Sequence, residues 1–193
     1  MQTSIFYIAL AALLTLNLLL LLTIYTTVIK LWPTPGKGSW QKYVFWPLFR
    51  GGLGLTLLFS ALNFKPHLDP NWELLIVGVP LMLIGLAVTV YGYFDLGIEN
   101  TYGSDQGLVT SGLYAYSRNP QYVASIAAFA GVAISVHTGP VALLCGLAIL
   151  VYSLLPLAEE PWLNKIYGDE FAVYRTRTPR FLSITQILSA PRM

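Results

Sequence analysis

The chain has 193 residues, of which 55% are hydrophobic and only 10% charged, with a mean hydropathy of +0.63. About a quarter of the residues in a soluble domain are charged, so this composition excludes an ordinary soluble domain and fits one compact polytopic membrane unit. A net charge of +2 makes no case for a nucleic-acid partner, and the single cysteine, Cys145, set in an apolar run, excludes an internal disulfide and supplies no thiol or zinc motif.

In chain order, five segments approach the ~20 apolar residues that a helix needs to cross the hydrocarbon core. The first is Ser4 to Ile29, which lacks a basic lead-in and is too long for a cleaved signal, so it reads as a retained span. A turn-rich connector, Pro33-Thr-Pro-Gly-Lys-Gly-Ser39, leads to the second, Leu48 to Asn63. The third is Leu74 to Phe94, the fourth Pro120 to Val136 and the fifth Val141 to Ala158. The second and fourth are short, which predicts tilt or local thinning of the bilayer. His137-Thr-Gly-Pro140 reads as a tight turn that makes a hairpin of the last two spans. Small residues Ala124, Ala127, Ala128 and Gly131 read as a close-packing face of the fourth span.

Charge placement predicts the topology. With the N-terminus outside, Lys30, Lys37, Lys42, Arg50, Arg118, Lys165, Arg175, Arg177, Arg180 and Arg192 lie inside and only Lys65 outside. All five tryptophans (Trp32, Trp40, Trp46, Trp72, Trp162) sit beside span ends, where an aromatic belt belongs. The predicted class is therefore an all-α integral membrane protein with five transmembrane helices, N-out and C-in. Residues 1–193 form a single membrane domain, with three N-terminal spans in 1–95. A binding loop, the hairpin and an interfacial segment follow in 96–181.

Two polar clusters stand at the predicted cytoplasmic ends of the hairpin. In the first, Asn119-Pro120 is a helix start, asparagine suiting the N-cap and proline the first helical position. The free N–H groups of that turn, with Arg118 before it and Tyr122 on it, suit a carboxylate or phosphate. Arg118 meeting lipid phosphate is the plainer alternative. In the second, Glu159 and Glu160 close the fifth span between Pro156 and Pro161. Acidic groups there oppose the helix dipole and repel each other, so they require a cation: Arg118, Lys165, Arg175 or a ligand. The prolines predict a kink or break that frees carbonyls. A zwitterionic amino acid moiety fits between the clusters. Beyond them, Leu163, Ile166, Tyr167, Phe171 and Tyr174 recur at helical spacing, predicting an interfacial helix interrupted near Gly168.

These residues carry a resemblance. Leu108-Val-Thr-Ser-Gly-Leu-Tyr-Ala-Tyr-Ser-Arg-Asn-Pro-Gln-Tyr122, then Glu159-Glu160, Tyr167-Gly-Asp-Glu-Phe-Ala-Val-Tyr174 and Thr178-Pro-Arg-Phe181, resemble in order the motifs of isoprenylcysteine carboxyl methyltransferases and the related phospholipid N-methyltransferases. The resemblance covers the C-terminal half, from Leu96-Gly97 to Arg180-Phe181. It implies an S-adenosylmethionine-dependent methyltransferase acting on a lipophilic acceptor that enters from the bilayer: an isoprenylcysteine carboxylate, a phospholipid amine or a thiol. It also implies cofactor contacts from Arg118, Asn119 and Tyr122, a pocket lined by Leu108, Val109 and Tyr114, and a polar end held by Glu159 and Glu160. No metal is implied. Asn119 departs from the family's histidine, and it hydrogen-bonds but cannot carry a proton. Arg180 is a candidate for positioning an acceptor carboxylate, with a lipid-facing anchor as its alternative. Two other classes fit less well. A sterol-type NADPH-dependent reductase would want His-Pro-Asn-Tyr and a basic pocket for a 2′-phosphate, and a non-enzymatic small membrane protein, such as a solute binder, transporter subunit or scaffold, would in its transport form want a charged intramembrane relay or an inverted repeat.

Overall fold

The computed structural model describes residues 1–35, 38–65, 71–97 and 107–182. Lys37, His67 and Arg192 lie outside the described residues. Among the described residues all regular structure is helical: α1 (Gln2–Tyr25), α2 (Trp40–Asn63), α3 (Trp72–Leu96), a short 3-10 turn (Gly112–Ala115), α4 (Pro120–Val136) and α5 (Gly139–Arg177). By length and composition α1, α2, α3 and α5 can each cross a membrane, and α4 is a shorter apolar helix of 17 residues.

The first helix stops at Tyr25, short of the predicted Ile29. Thr26 turns to an extended conformation, and the Thr23 hydroxyl accepts the amide N–H of Leu31 at 3.0 Å, drawing the chain back against the helix end. The second helix begins at Trp40, not Leu48, and is 24 residues long, so it is not short as predicted. Lys42 and Pro47 interrupt the hydropathy but not the helix: a proline removes one hydrogen bond, while Phe45, Leu53 and Phe59 bury the same side of the helix in the core. The fourth helix has the predicted bounds, and His137 ends it in the left-handed conformation.

The largest correction concerns α5. It runs through both Pro156 and Pro161, with its one break at Gly168 (φ 49°, ψ −121°). Glu159 and Glu160 thus stand inside a continuous helix, and the predicted conflict with a helix C-terminus does not arise. Leu154, Leu155, Pro156, Ala158 and Glu160 are buried, and this packing holds the helix together across two missing N–H groups. The expected interfacial helix is the continuation of α5, with the interruption at the predicted glycine.

Two packing devices place the helix ends. Asn17 in α1 donates to the carbonyl of Leu147 at 3.1 Å and so ties α1 to α5. Along α3, Gly78, Gly85 and Gly92 are buried at seven-residue spacing and meet α4. A Cβ at Gly85 would lie 2.6 Å from the Ala124 carbonyl oxygen, so the two backbones touch. The atoms nearest these glycines belong to Gln121, Ala124, Ala128, Gly131 and Ser135, and the predicted Ala127 is not among them.

Candidate functional site

A cleft of about 1240 Å³, its open mouth included, lies where the end of α3, the start of α4, the start of α2 and the Glu159 region of α5 meet. All eight residues predicted for the pocket line it: Leu108, Val109, Tyr114, Arg118, Asn119, Tyr122, Glu159 and Glu160. Arg180 does not line it.

The loop before α4 is held from three sides. Asp95, at the end of α3, accepts the Leu113 N–H at 2.8 Å. Gly112 adopts φ +59°, and any Cβ there would collide with the Asp95 carboxylate, so the glycine of this motif is required twice over. The Tyr114 carbonyl accepts the Tyr174 hydroxyl at 2.6 Å, and the Tyr114 hydroxyl lies 3.1 Å from Gln121 Nε2, which also donates to the Gly92 carbonyl at 2.7 Å. Burial, then the nearby charge of Glu159, pushes the Tyr114 hydroxyl well above its ordinary range, so it stays protonated.

The segment after α5 straps onto the same loop. The Arg118 N–H donates to the Pro179 carbonyl at 2.9 Å, and Asn119 Nδ2 donates to the Arg180 carbonyl at 2.9 Å. Asn119 occupies the N-cap position as predicted, but its side chain does not cap the helix; it holds the strap. Ser117 Oγ accepts the N–H of Asn119 itself at 3.1 Å.

The two glutamates are in different electrostatic states. Glu160 takes both arginines: Arg180 donates through Nε at 2.9 Å and Nη2 at 2.6 Å, and Arg118 Nη2 lies 3.0 Å from Oε1. Those hydrogen bonds raise the Arg180 pKa above its ordinary value, while burial lowers that of Arg118 against the opposing pull of Glu160. Among the described residues, Glu159 is hydrogen-bonded by neutral donors, the Tyr122 hydroxyl at 2.6 Å and the indole N–H of Trp32. Arg118 keeps two buried nitrogens, Nε and Nη1, with no partner among the described residues. A buried, partly unpaired guanidinium is costly, and its fork matches a carboxylate. The site thus sets unpaired guanidinium donors at Arg118, a geometry suited to a carboxylate, beside a Glu159 carboxylate that no cation among the described residues neutralises. This donor and acceptor set fits the amino acid end of S-adenosylmethionine.

Sequence reasoning missed half of the wall. Trp32, Phe45, Trp46 and Phe49 line the cleft from the N-terminal half. Trp32 stacks on Phe45 with ring centroids 4.2 Å apart, and Phe45 on Phe49 at 5.3 Å. In sequence, Trp32 and Trp46 are indistinguishable from the other belt tryptophans. Asp95 was missed as well, and its signal was available: an acid closing an apolar span just before a Leu-Gly turn.

Fold and site together define an α-helical membrane protein with a polar pocket walled by aromatic residues. A family profile for phospholipid methyltransferases matches residues 74–170, and the chain belongs to that family. It is 28% identical over 144 residues to a phosphatidylethanolamine N-methyltransferase of Schizosaccharomyces pombe, covering 64% of this chain and 16% of that relative. The chain therefore spans about a sixth of that relative's length. No solved structure matches it.

Proposed function

We propose that the chain transfers a methyl group from S-adenosylmethionine to the amine of a membrane phospholipid. The observation that carries this reading is the unequal pairing of the two glutamates. Glu160 takes both Arg118 and Arg180, and among the described residues Arg118 keeps two unpartnered nitrogens and Glu159 has no cation. When bound, S-adenosylmethionine supplies a sulfonium methyl open to in-line displacement. Arg118 receives the carboxylate of its amino acid end. Glu159, aimed by Tyr122 and Trp32, receives the ammonium or a ribose hydroxyl. Leu108 and Val109 contribute apolar wall, and Tyr114 and Asn119 hold the loop in place. Arg180 acts through Glu160, which it fixes against Arg118.

The phospholipid assignment rests on the family, and it is favoured by helices suited to the bilayer and by the aromatic wall facing the cleft. Lys30, Lys42, Arg118, Arg175, Arg177 and Arg180 flank the helix ends that frame the cleft. The positive-inside tendency supports a cytoplasmic cleft, in a reading with five spanning helices, N-out and C-in.

The test is calorimetric titration of S-adenosylhomocysteine into detergent-purified protein, with Arg118→Ala and Glu160→Ala alongside, followed by labelled methyl transfer to phosphatidylethanolamine, an isoprenylcysteine and a long-chain thiol. Saturable binding lost in both variants, with label in the phospholipid, is the expected result. Binding of a nicotinamide nucleotide in its place defeats the reading.

A further inference from the structure

The cleft has a second end, and it is uncharged. Thr89 of α3, Ser125 of α4 and Tyr152 of α5 all line it. Thr89 Oγ1 and Ser125 Oγ lie 3.2 Å apart, and the Tyr152 hydroxyl bonds to Ser125 as well. Three helices thus bring their hydroxyls to one point, around the buried Ser125. Thr89 stands two turns before Leu96, Tyr152 two turns before Glu159, and Ser125 in the second turn of α4. At the rise of an α-helix, that point is about 10 Å along the bundle from the level of Arg118 and Glu159. Phe49 of α2 walls it, with its ring centroid 5.7 Å from that of Tyr152. Among the described residues, the carboxylates that line the cleft are Glu159 and Glu160, both at the other end.

Resting on the phospholipid reading above, we infer that Thr89, Ser125 and Tyr152 form the subsite for the amine of the acceptor headgroup and recognise it by its N–H groups. Each hydroxyl carries one O–H and two lone pairs, so a hydroxyl cluster has more acceptors than its own donors can fill. That surplus suits a ligand that donates. With no carboxylate at this end, an ammonium would lose its hydration without a counter-charge, so the form admitted is the neutral amine. The neutral form is also the one whose nitrogen lone pair can attack a methyl group. Each methyl that replaces an N–H removes a donor from the ligand. A trimethylammonium group has no N–H and keeps its charge, so the same subsite releases the fully methylated product.

The test uses the full-length protein in detergent. Short-chain phosphatidylethanolamine and the phosphatidylcholine of the same chain length are titrated calorimetrically into wild type, Ser125→Ala and Tyr152→Phe. The two probes share phosphate, glycerol and acyl chains, so their difference reads the amine alone. The hydrogen bonds of the subsite predict a preference for phosphatidylethanolamine of about tenfold in wild type. It should fall to near parity in Ser125→Ala, which removes the hydroxyl shared by the other two, and stand between in Tyr152→Phe, which keeps the ring. Equal wild-type affinity for the two lipids overturns the inference whether or not the variants fold. Tighter binding of phosphatidylcholine overturns it too, since that marks the wall as an aromatic site for quaternary ammonium. An undiminished preference in a folded Ser125→Ala does the same. S-adenosylhomocysteine binding is measured on the same samples. Its absence defeats the methyltransferase reading, while the preference between the two lipids still reads the amine subsite.

Discussion

The indole N–H of Trp32 donates to the carboxylate of Glu159, a residue 127 positions further along the chain. Through this contact the connector between α1 and α2 reaches into the polar pocket built by the C-terminal half. The same carboxylate oxygen accepts the Tyr122 hydroxyl, so two neutral donors aim one charge.

Trp32→Phe keeps the stacked ring and removes the donor. A hydrogen bond to a charged group contributes about 1.5–3 kcal/mol. With Glu159 less firmly aimed, S-adenosylhomocysteine affinity should fall roughly tenfold, and the melting point should drop by about 5 °C. Titration calorimetry reads the first and a melting curve the second. Unchanged affinity would remove Glu159 from the proposed cofactor contacts.

Glu160→Ala leaves Arg118 and Arg180 without their shared carboxylate. The side chains of Glu160 and Arg118 are only 7% and 10% exposed, and breaking a buried pair costs about 3–5 kcal/mol. Arg180 is more exposed and contributes less. The variant should melt roughly 10 °C lower. Adding Arg180→Ala should lower the melting point little further, whereas the surface substitution Lys165→Ala should be silent. Additive losses from Glu160 and Arg180 would contradict the shared bridge.

Gly85→Ala places a Cβ against the backbone of α4, 2.6 Å from the Ala124 oxygen. Overpacking of this kind costs about 1–3 kcal/mol. Gly54→Ala on α2 is the control, since its Cβ meets nothing within 4 Å; there the gain in helix propensity is up to ~1 kcal/mol. Melting temperatures of the two variants should move in opposite directions, and a tolerated Gly85→Ala would mean that α3 and α4 do not lie this close.

Asn119→His introduces the residue that the resemblance to isoprenylcysteine carboxyl methyltransferases implies at this position. An imidazole Nδ1–H can take the place of the amide that donates to the Arg180 carbonyl. Near wild-type methyl transfer and S-adenosylhomocysteine affinity are expected of it. Asn119→Ala frees the strap and should weaken binding about fivefold. A proton-carrying role for this position predicts the reverse: an Asn119→His protein much faster than wild type, with a new pH dependence near neutrality.

Much of this protein is set by its order of residues. Apolar runs of membrane length specify helices, Asn119-Pro120 starts α4, His137 and Gly139 turn the hairpin, and the linked motifs from Leu108 to Phe181 mark the family. These signals are local, or recur at fixed spacing, so a single chain displays them. Helix bounds at α2 and α5 were misjudged for a physical reason: hydropathy and proline count against a helix residue by residue, whereas burial of Phe45 in α2 and of Leu155 and Glu160 in α5 sustains it.

Only the tertiary structure decided which charge meets which. In sequence, Glu159 and Glu160 are adjacent and equivalent. In the fold, successive helix positions point about 100° apart, so one carboxylate meets Arg118 and Arg180 and the other meets Trp32 and Tyr122. Likewise, nothing local marks Trp32, Phe45 or Phe49 as wall of the cleft, because their place there follows from how α1 and α2 pack on α5.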